Sequence, residues 1–250
     1  MIDLTANQKV LKGKVVLITG ASKGIGKALA IGFAEAGAAV ACVARTQQLL
    51  DTTTAEIRQN GGVTIAITAD VTDESEVGQM LQKTVERFEK LDIVVLNAGG
   101  NFDDRLVEKS LSEDWRKTVE LNLFGSYYCA KAAIPYLRQN GGGKIITIGS
   151  GLGHRGIAER SAYACSKAGI WMLTRILAQE LQQHNISVNE LIPGPVDTGV
   201  VSEKFRKEVI EKQHEWLKAP EDVVQLALFL ATQPDIGPSA QSFSLMRRDN

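Results

Sequence analysis

The chain has 250 residues, 44% hydrophobic and 23% charged, with 28 Lys and Arg against 29 Asp and Glu. That is the composition of an ordinary globular domain and excludes a disordered, fibrous or coiled-coil chain. A net charge of -1 shows no global basic excess, so neither nucleic acid nor an anionic membrane surface is an expected partner.

The first 14 residues mix Asp3, Lys9, Lys12 and Lys14 with single apolar residues, and they contain no apolar core of signal-peptide type. No window approaches the roughly 18 uninterrupted apolar residues of a membrane span. A cytoplasmic protein is expected. The three cysteines, Cys42, Cys129 and Cys165, are odd in number and have no zinc-like spacing. They are expected to be buried free thiols in a reducing compartment, and no metal site is expected.

In chain order, short apolar runs alternate with longer amphipathic stretches. Residues 15–18 read as a buried strand, followed by a glycine-rich turn and an alanine-rich helix over about 25–36, stopped at Gly37. A strand over 39–44 leads to a helix over 47–59, ended by Asn60-Gly61-Gly62. A third strand over 63–68 leads to a helix over 73–90 with Thr72 or Asp73 as N-cap. The fourth strand covers 93–96. One long helix is expected over 112–139, its last turns kinked or adjusted at Pro135. Gly141-Gly142-Gly143 breaks the chain before strand five at 144–148. A helix over 162–183, a sixth strand over 187–191, a helix from Pro220 to 231 and a seventh strand over 242–246 complete the series. This alternation argues for an α/β fold with a parallel sheet. Seven strands fall short of a (β/α)8 barrel, and no Pro/Ser/Gly-rich linker divides the chain, so one domain is expected.

The turn between the first strand and helix reads Thr19-Gly20-Ala21-Ser22-Lys23-Gly24-Ile25-Gly26. Glycines let the backbone turn sharply and approach a pyrophosphate closely, and the helix N-terminus offers unpaired amides and a positive dipole end. The spacing is G-x-x-x-G-x-G, neither G-x-G-x-x-G nor a G-x-x-x-x-G-K-[ST] phosphate loop; its strand–turn–helix setting points to a dinucleotide. Further on, Tyr163 and Lys167 stand four apart and share one helix face. A free phenol titrates near about 10, too high for acid–base work at neutrality, and a neighbouring ammonium stabilises the phenolate. Ser150, His154 and Asp197 have the residue types of a hydrolytic triad, but no G-x-S-x-G elbow surrounds Ser150.

Seven pieces stand in one register: Thr19 to Gly26, Asp70-Val71, Asn97-Ala98-Gly99, Asn122, Ser150 (thirteen residues before Tyr163), Tyr163-x-x-x-Lys167 and Pro193-Gly194. On these residues the chain resembles the short-chain dehydrogenase/reductase family over nearly its whole length. The resemblance implies a single Rossmann-type domain over residues 1–250. It also implies a doubly wound sheet of seven strands in the order 3-2-1-4-5-6-7, an NAD(P) cofactor and a homotetramer or dimer. It puts Gly20, Ser22, Gly24, Ile25 and Gly26 with their amides on the pyrophosphate, and Asp70 and Val71 on adenine. Asn97, Ala98 and Gly99 would line the adenosine ribose; Leu96 stands where many members carry a second Asn. Tyr163 would be the general acid in carbonyl reduction and the base in alcohol oxidation. Lys167 would tune Tyr163 and hold the nicotinamide ribose. Ser150 would hydrogen-bond the substrate oxygen, and Asn122 would help hold a water linking Lys167 to solvent. Pro193, Gly194 and Thr198 would lie against the nicotinamide.

NAD-specific members usually end strand two with a carboxylate that accepts from the ribose 2′-hydroxyl. Here Ala44 is followed by Arg45, and Lys23 is near in the turn; these cations suit a 2′-phosphate and NADP(H). The expected reaction is reduction of a ketone or 3-oxoacyl group to a secondary alcohol, or its reverse. The chain is similar to 3-oxoacyl-(acyl carrier protein) reductases, although Gly141-Gly142-Gly143 and His184 stand where such enzymes carry basic docking residues. The usual Asp-Gly-Gly ending is also absent from residues 242–248. An obligate carrier-protein reductase and a catalytically silent NADP-binding sensor or scaffold are the alternatives. His154, Arg155 and Arg160 flank the expected pocket as candidates for an anionic substrate group, and residues 199–216 form the expected lid. The apolar stretches 121–134 and 223–230 are expected to supply helix faces shared between subunits.

Overall fold

In a computed structural model, residues 9–199 and 216–246 are described. Seven parallel strands form one sheet in the order β3-β2-β1-β4-β5-β6-β7. They are β1 (Val15–Thr19), β2 (Ala39–Ala44), β3 (Val63–Thr68), β4 (Ile93–Leu96), β5 (Gly143–Ile148), β6 (Ile186–Ile192) and β7 (Ser242–Ser244). The order reverses between β1 and β4, where a crevice opens beyond the strand ends. The helices are α1 (Gly24–Glu35), α2 (Gln47–Gln59), α3 (Glu74–Phe88), α4 (Ser112–Val119), α5 (Gly125–Gln139), α6 (Ser161–Leu181) and α7 (Val224–Thr232).

Both sheet faces are covered, so the strands are apolar on both sides. Along β1, Val16 and Ile18 pack with Leu29 and Phe33 of α1 and with Leu230 of α7. Leu17 faces the other way, in a cluster with Leu81, Leu137 and Leu177 of α3, α5 and α6. Small residues let α1 lie close: a Cβ at Gly32 would stand 2.3 Å from Val224. Asp73 caps α3, its side chain accepting from the Ser75 and Glu76 amides at 2.8 and 3.0 Å.

Three elements differ from the sequence expectation. The long helix over 112–139 is interrupted by a π turn over Glu120–Phe124, in which the Gly125 N–H donates to the Glu120 carbonyl; beyond it α5 runs on through Pro135. The helix from Pro220 begins as a 3-10 turn, Pro220–Val223, before α7. β7 stops at Ser244, short of 246. Most of the expected lid, residues 200–215, lies outside the described residues. Its base is closed by a parallel bridge between Val196 and Lys218, with the Asp197 amide donating to the Lys218 carbonyl at 2.8 Å.

Candidate active site

The predicted site residues gather at the C-terminal edge of the sheet. The glycine turn bends tightly there, with Gly20 and Gly24 at φ +69 and +53. A Cβ at Gly26 would stand 2.2 Å from the Gly20 carbonyl oxygen, and one at Gly24 would stand 2.9 Å from the Thr198 side chain. The turn thus takes no side chains at these points, and α1 opens without a side-chain cap on its first amides. This backbone cradle fits the pyrophosphate of a dinucleotide. Lys23, at the N-cap, is exposed; Ser22 and Ile25 are half-buried beside it.

Strand β4 braces the cradle. The Thr19 hydroxyl accepts from the Asn97 and Ala98 amides, each at 3.0 Å, and the Asn97 side chain donates to the Thr19 carbonyl at 2.8 Å. Gly99 lies against the Asn122 carboxamide: a Cβ there would stand 2.8 Å from Asn122 Oδ1. The π turn places that buried carboxamide between two segments. It exchanges hydrogen bonds with the Gly100 amide and carbonyl at 2.8 and 2.9 Å and donates to the Ser166 hydroxyl at 2.9 Å. Asn122 therefore ties the loop after β4 to α6.

At the far end of the cleft, Arg45 follows β2 and faces Asp70, with Nη1 3.7 Å from Oδ2. Burial pushes the Asp70 carboxyl up, but the Thr72 amide and hydroxyl and the Arg45 guanidinium outweigh it and hold the group below its ordinary range. A cavity of about 590 Å³ opens here, lined by Arg45, Asp70, Thr72, Phe102, Glu120 and Leu121. Val71 is buried against Gly125 at the start of α5.

The chemical end is more enclosed. Ser150 follows β5, and its hydroxyl stands near the Tyr163 phenol in the first turn of α6, where it favours the phenolate; Ser150 Oγ also accepts from the Leu152 amide at 3.2 Å. One turn on, Lys167 is 5% exposed; its Nζ lies 5.7 Å from the centre of the Tyr163 ring and donates to the Ile148 carbonyl at 2.7 Å. Burial pushes the Lys167 ammonium down to about 8, opposed by the charge of Glu190. Burial raises Tyr163 above its ordinary value, partly offset by the Ser150 hydrogen bond and the charge of Arg160. Pro193 and Gly194 follow β6 at the same edge, Gly194 in the left-handed region.

Several expectations need correcting. Cys165 is exposed on α6, whereas Cys42 and Cys129 are buried, their thiols pushed up to about 11 and about 12 by burial. Two of the three candidate anion-binding groups already have partners: Arg160 pairs with Asp104, and His154 Nε2 lies 3.0 Å from Glu190 Oε2. His154 is taken up by Glu190, so among the described residues nothing supports the hydrolytic arrangement already set aside on the sequence. Glu190 itself, fully buried in β6, was missed; its signal was a carboxylate inside a strand bounded by apolar residues, Ile186, Val188, Leu191 and Ile192. Among the described residues no cluster of His, Cys, Asp or Glu could hold a metal, and no helix is long and apolar enough to cross a membrane.

The sequence pattern of the short chain dehydrogenase family matches residues 14–209. The chain belongs to the short-chain dehydrogenase/reductase family. It is 36% identical over 227 residues to a 3-oxoacyl-[acyl-carrier-protein] reductase of Synechocystis, covering 90% of this chain and 91% of the relative. It is 35% identical over 231 residues to the 7alpha-hydroxysteroid dehydrogenase of Escherichia coli, covering 89% and 88%. Among solved structures, a 7 alpha-hydroxysteroid dehydrogenase complexed with NADH and 7-oxo glycochenodeoxycholic acid superposes with a TM-score of 0.88 at 33% identity, covering 94% of this chain and 93% of that one. An NAD+-bound xylitol dehydrogenase superposes at 0.89 with 25% identity, covering 95% and 99%. This short-chain dehydrogenase/reductase is an oxidoreductase acting on carbonyl and alcohol groups.

Proposed function

We propose that the protein uses NADP(H) to interconvert a ketone and a secondary alcohol, with Tyr163 as the proton donor and acceptor. The observation that carries this reading is the grouping of Ser150, Tyr163 and the buried Lys167 at the end of β5, on the same edge of the sheet as the glycine cradle. The nicotinamide supplies the hydride when bound. The Ser150 hydroxyl and the Tyr163 phenol both donate toward one substrate oxygen, stabilising the charge that develops there. In reduction Tyr163 gives its proton to that oxygen; in oxidation the phenolate takes it back. The buried Lys167 ammonium favours the phenolate and so lowers the cost of that exchange.

The preference for NADP(H) rests on charge. Arg45 stands where a 2′-phosphate would lie, its side chain 62% exposed and its ion pair with Asp70 loose at 3.7 Å. The turn that carries Lys23 contains no carboxylate, and none ends β2. The residues placed on the cofactor are Gly20, Ser22, Lys23, Gly24, Ile25, Gly26, Arg45, Asp70, Val71, Asn97, Ala98, Gly99, Tyr163, Lys167, Pro193, Gly194 and Thr198. Asn122 completes the catalytic set by fixing α6 against the loop after β4.

The substrate reading is a small or medium ketone or a 3-oxoacyl thioester, in preference to an obligate carrier-protein conjugate. An acidic carrier needs a cationic patch. Lys131 is taken up by Glu74, Lys144 is buried at the opposite end of β5, and Arg175 is stacked on Trp171, which leaves Arg138 exposed. The same reading expects a homotetramer. Phe124 of the π turn, Tyr127 of α5 and Phe229 of α7 are exposed and suit subunit contacts, whereas Val223, Ala227 and Leu230 are used in the core; light scattering giving a monomer at micromolar concentration would contradict it. The direct test of function is NADPH oxidation with a 3-oxoacyl group on a short thioester and on a carrier protein. Tyr163→Phe should retain NADPH binding and lose at least about 100-fold in kcat. Near-wild-type turnover in that variant would remove the assignment. A carrier advantage of about 100-fold that fades with salt would replace the substrate reading.

A further inference from the structure

Glu190 has no part in the reaction as described so far. Its carboxylate is fully buried in β6, on the α6 side of the sheet. Oε2 lies 3.0 Å from His154 Nε2 and accepts from the Ser242 hydroxyl at 2.5 Å. Oε1 has no hydrogen-bond partner among the described residues. A buried carboxylate with one bare oxygen is costly unless positive charge stands close by.

The chain makes room for that oxygen. A Cβ at Gly149 would stand 1.9 Å from Oε1, so a side chain there and the carboxylate exclude each other. The residue before Gly149 is Ile148, whose carbonyl holds the Lys167 ammonium at 2.7 Å. The bare oxygen thus lies one residue from the group that fixes the catalytic lysine. Lys167 is 5% exposed and Glu190 0%, so both charges are shielded from bulk water and their attraction is weakly screened. Burial pushes Lys167 down, and Glu190 is the charge that opposes this.

Among the described residues, the charged and titratable groups around Glu190 are few. The turn after β5 contributes His154, and α6 contributes Lys167. Trp171 meets His154 edge-on, and Arg175 lies over Trp171; β7 offers the Ser242 hydroxyl. We propose that Glu190 is a positioning residue: from behind the active site its carboxylate keeps Lys167 in the ammonium form that sets the Tyr163 proton transfer, and His154 anchors the carboxylate. This rests on the reading of Tyr163 and Lys167 given above.

The test is the titration of Lys167 in the cofactor-free protein, followed by the carbon-13 resonance of its Cε and identified by its loss in Lys167→Met. Removing the negative charge makes the buried ammonium easier to deprotonate. Glu190→Gln should therefore lower the Lys167 midpoint by about one pH unit, a tenfold weaker hold on the proton. Glu190→Met, neutral and apolar, should do the same if the glutamine variant does not fold. His154→Gln leaves the charge in place and should leave the midpoint where it is. In activity, the alkaline limb of kcat for NADPH-dependent reduction of ethyl acetoacetate should move down in pH by the same amount in Glu190→Gln; a merely loosened turn would lower the rate without moving the limb. An unchanged midpoint in the neutral Glu190 variants, or an equal shift in His154→Gln, overturns the proposal. The titration needs no turnover, so it stands or falls separately from the Tyr163→Phe result.

Discussion

The two ends of the cleft are built differently. At the chemical end, Lys167 is sealed in the interior and its ammonium is held by a backbone carbonyl. At the nucleotide end, Arg45 and Asp70 keep 62% and 33% of their side chains exposed and meet at 3.7 Å across an open cavity. In the interior a charge is strong and its protonation state is negotiable; at the surface it is permanent and screened. On the function proposed above, protonation is controlled where water is excluded, while the choice between two cofactors that differ by one phosphate falls to exposed cations.

Lys167 offers the largest effect by which this contrast can be broken. Its folded value of about 8 lies below the ordinary lysine value of 10.5, so the charged form costs stability. That cost is fully present below pH 8 and is relieved as pH rises from about 8 toward the unfolded value. Relative to Lys167→Met, the wild type should gain up to about 3 kcal/mol of unfolding free energy as pH rises from 7 toward 10.5. Urea unfolding of both proteins across that range measures it; a constant difference would mean that Lys167 is not desolvated.

Arg45 comes next. Arg45→Ala should weaken NADPH binding by roughly 10- to 100-fold, the range for a lost charged hydrogen bond, with little change for NADH. The wild-type preference should also shrink with salt, as screening of an exposed cation requires. Titration by nucleotide fluorescence decides it: equal losses for both cofactors would show that Arg45 does not read the 2′-phosphate.

The smallest effect sharpens the boundary within α6 itself. Cys165 lies between Tyr163 and Lys167 in sequence yet faces outward, while Cys42 and Cys129 are buried with thiols pushed up to about 11 and about 12. One thiol should react with a soluble disulfide reagent in the native protein and three after unfolding. Two fast native thiols would show that the interior is more open than described.

The strands were legible because a parallel sheet covered on both faces demands continuous apolar runs, and 15–18, 39–44 and 93–96 are such runs. The glycine turn was legible because its chemistry is backbone chemistry, which only glycine permits. The π turn at 120–124 was not: one extra residue in a helical turn leaves the apolar spacing of α4 and α5 nearly unchanged. Cys165 was misread because its small neighbours say nothing of which helix face turns outward. Glu190 was overlooked because its partners, His154 and Ser242, lie 36 and 52 residues away and meet it only in the folded sheet. Which residues gather at one edge of the sheet was visible as a register of motifs, while what surrounds Lys167 depended on packing.

The close approach of Gly149 to Glu190 also bears on how this sequence can drift. With the carboxylate in place, any side chain at position 149 meets Oε1 at a distance no real contact allows. Loss of Glu190 first would open space that a small residue at 149 could then fill. The two positions are therefore epistatic, and the order of substitution matters: the path through Gly149→Ser with Glu190 intact crosses a clash, while the path through loss of the carboxylate crosses only a cavity. A lineage that has acquired this pair can leave it by one route much more easily than by the other.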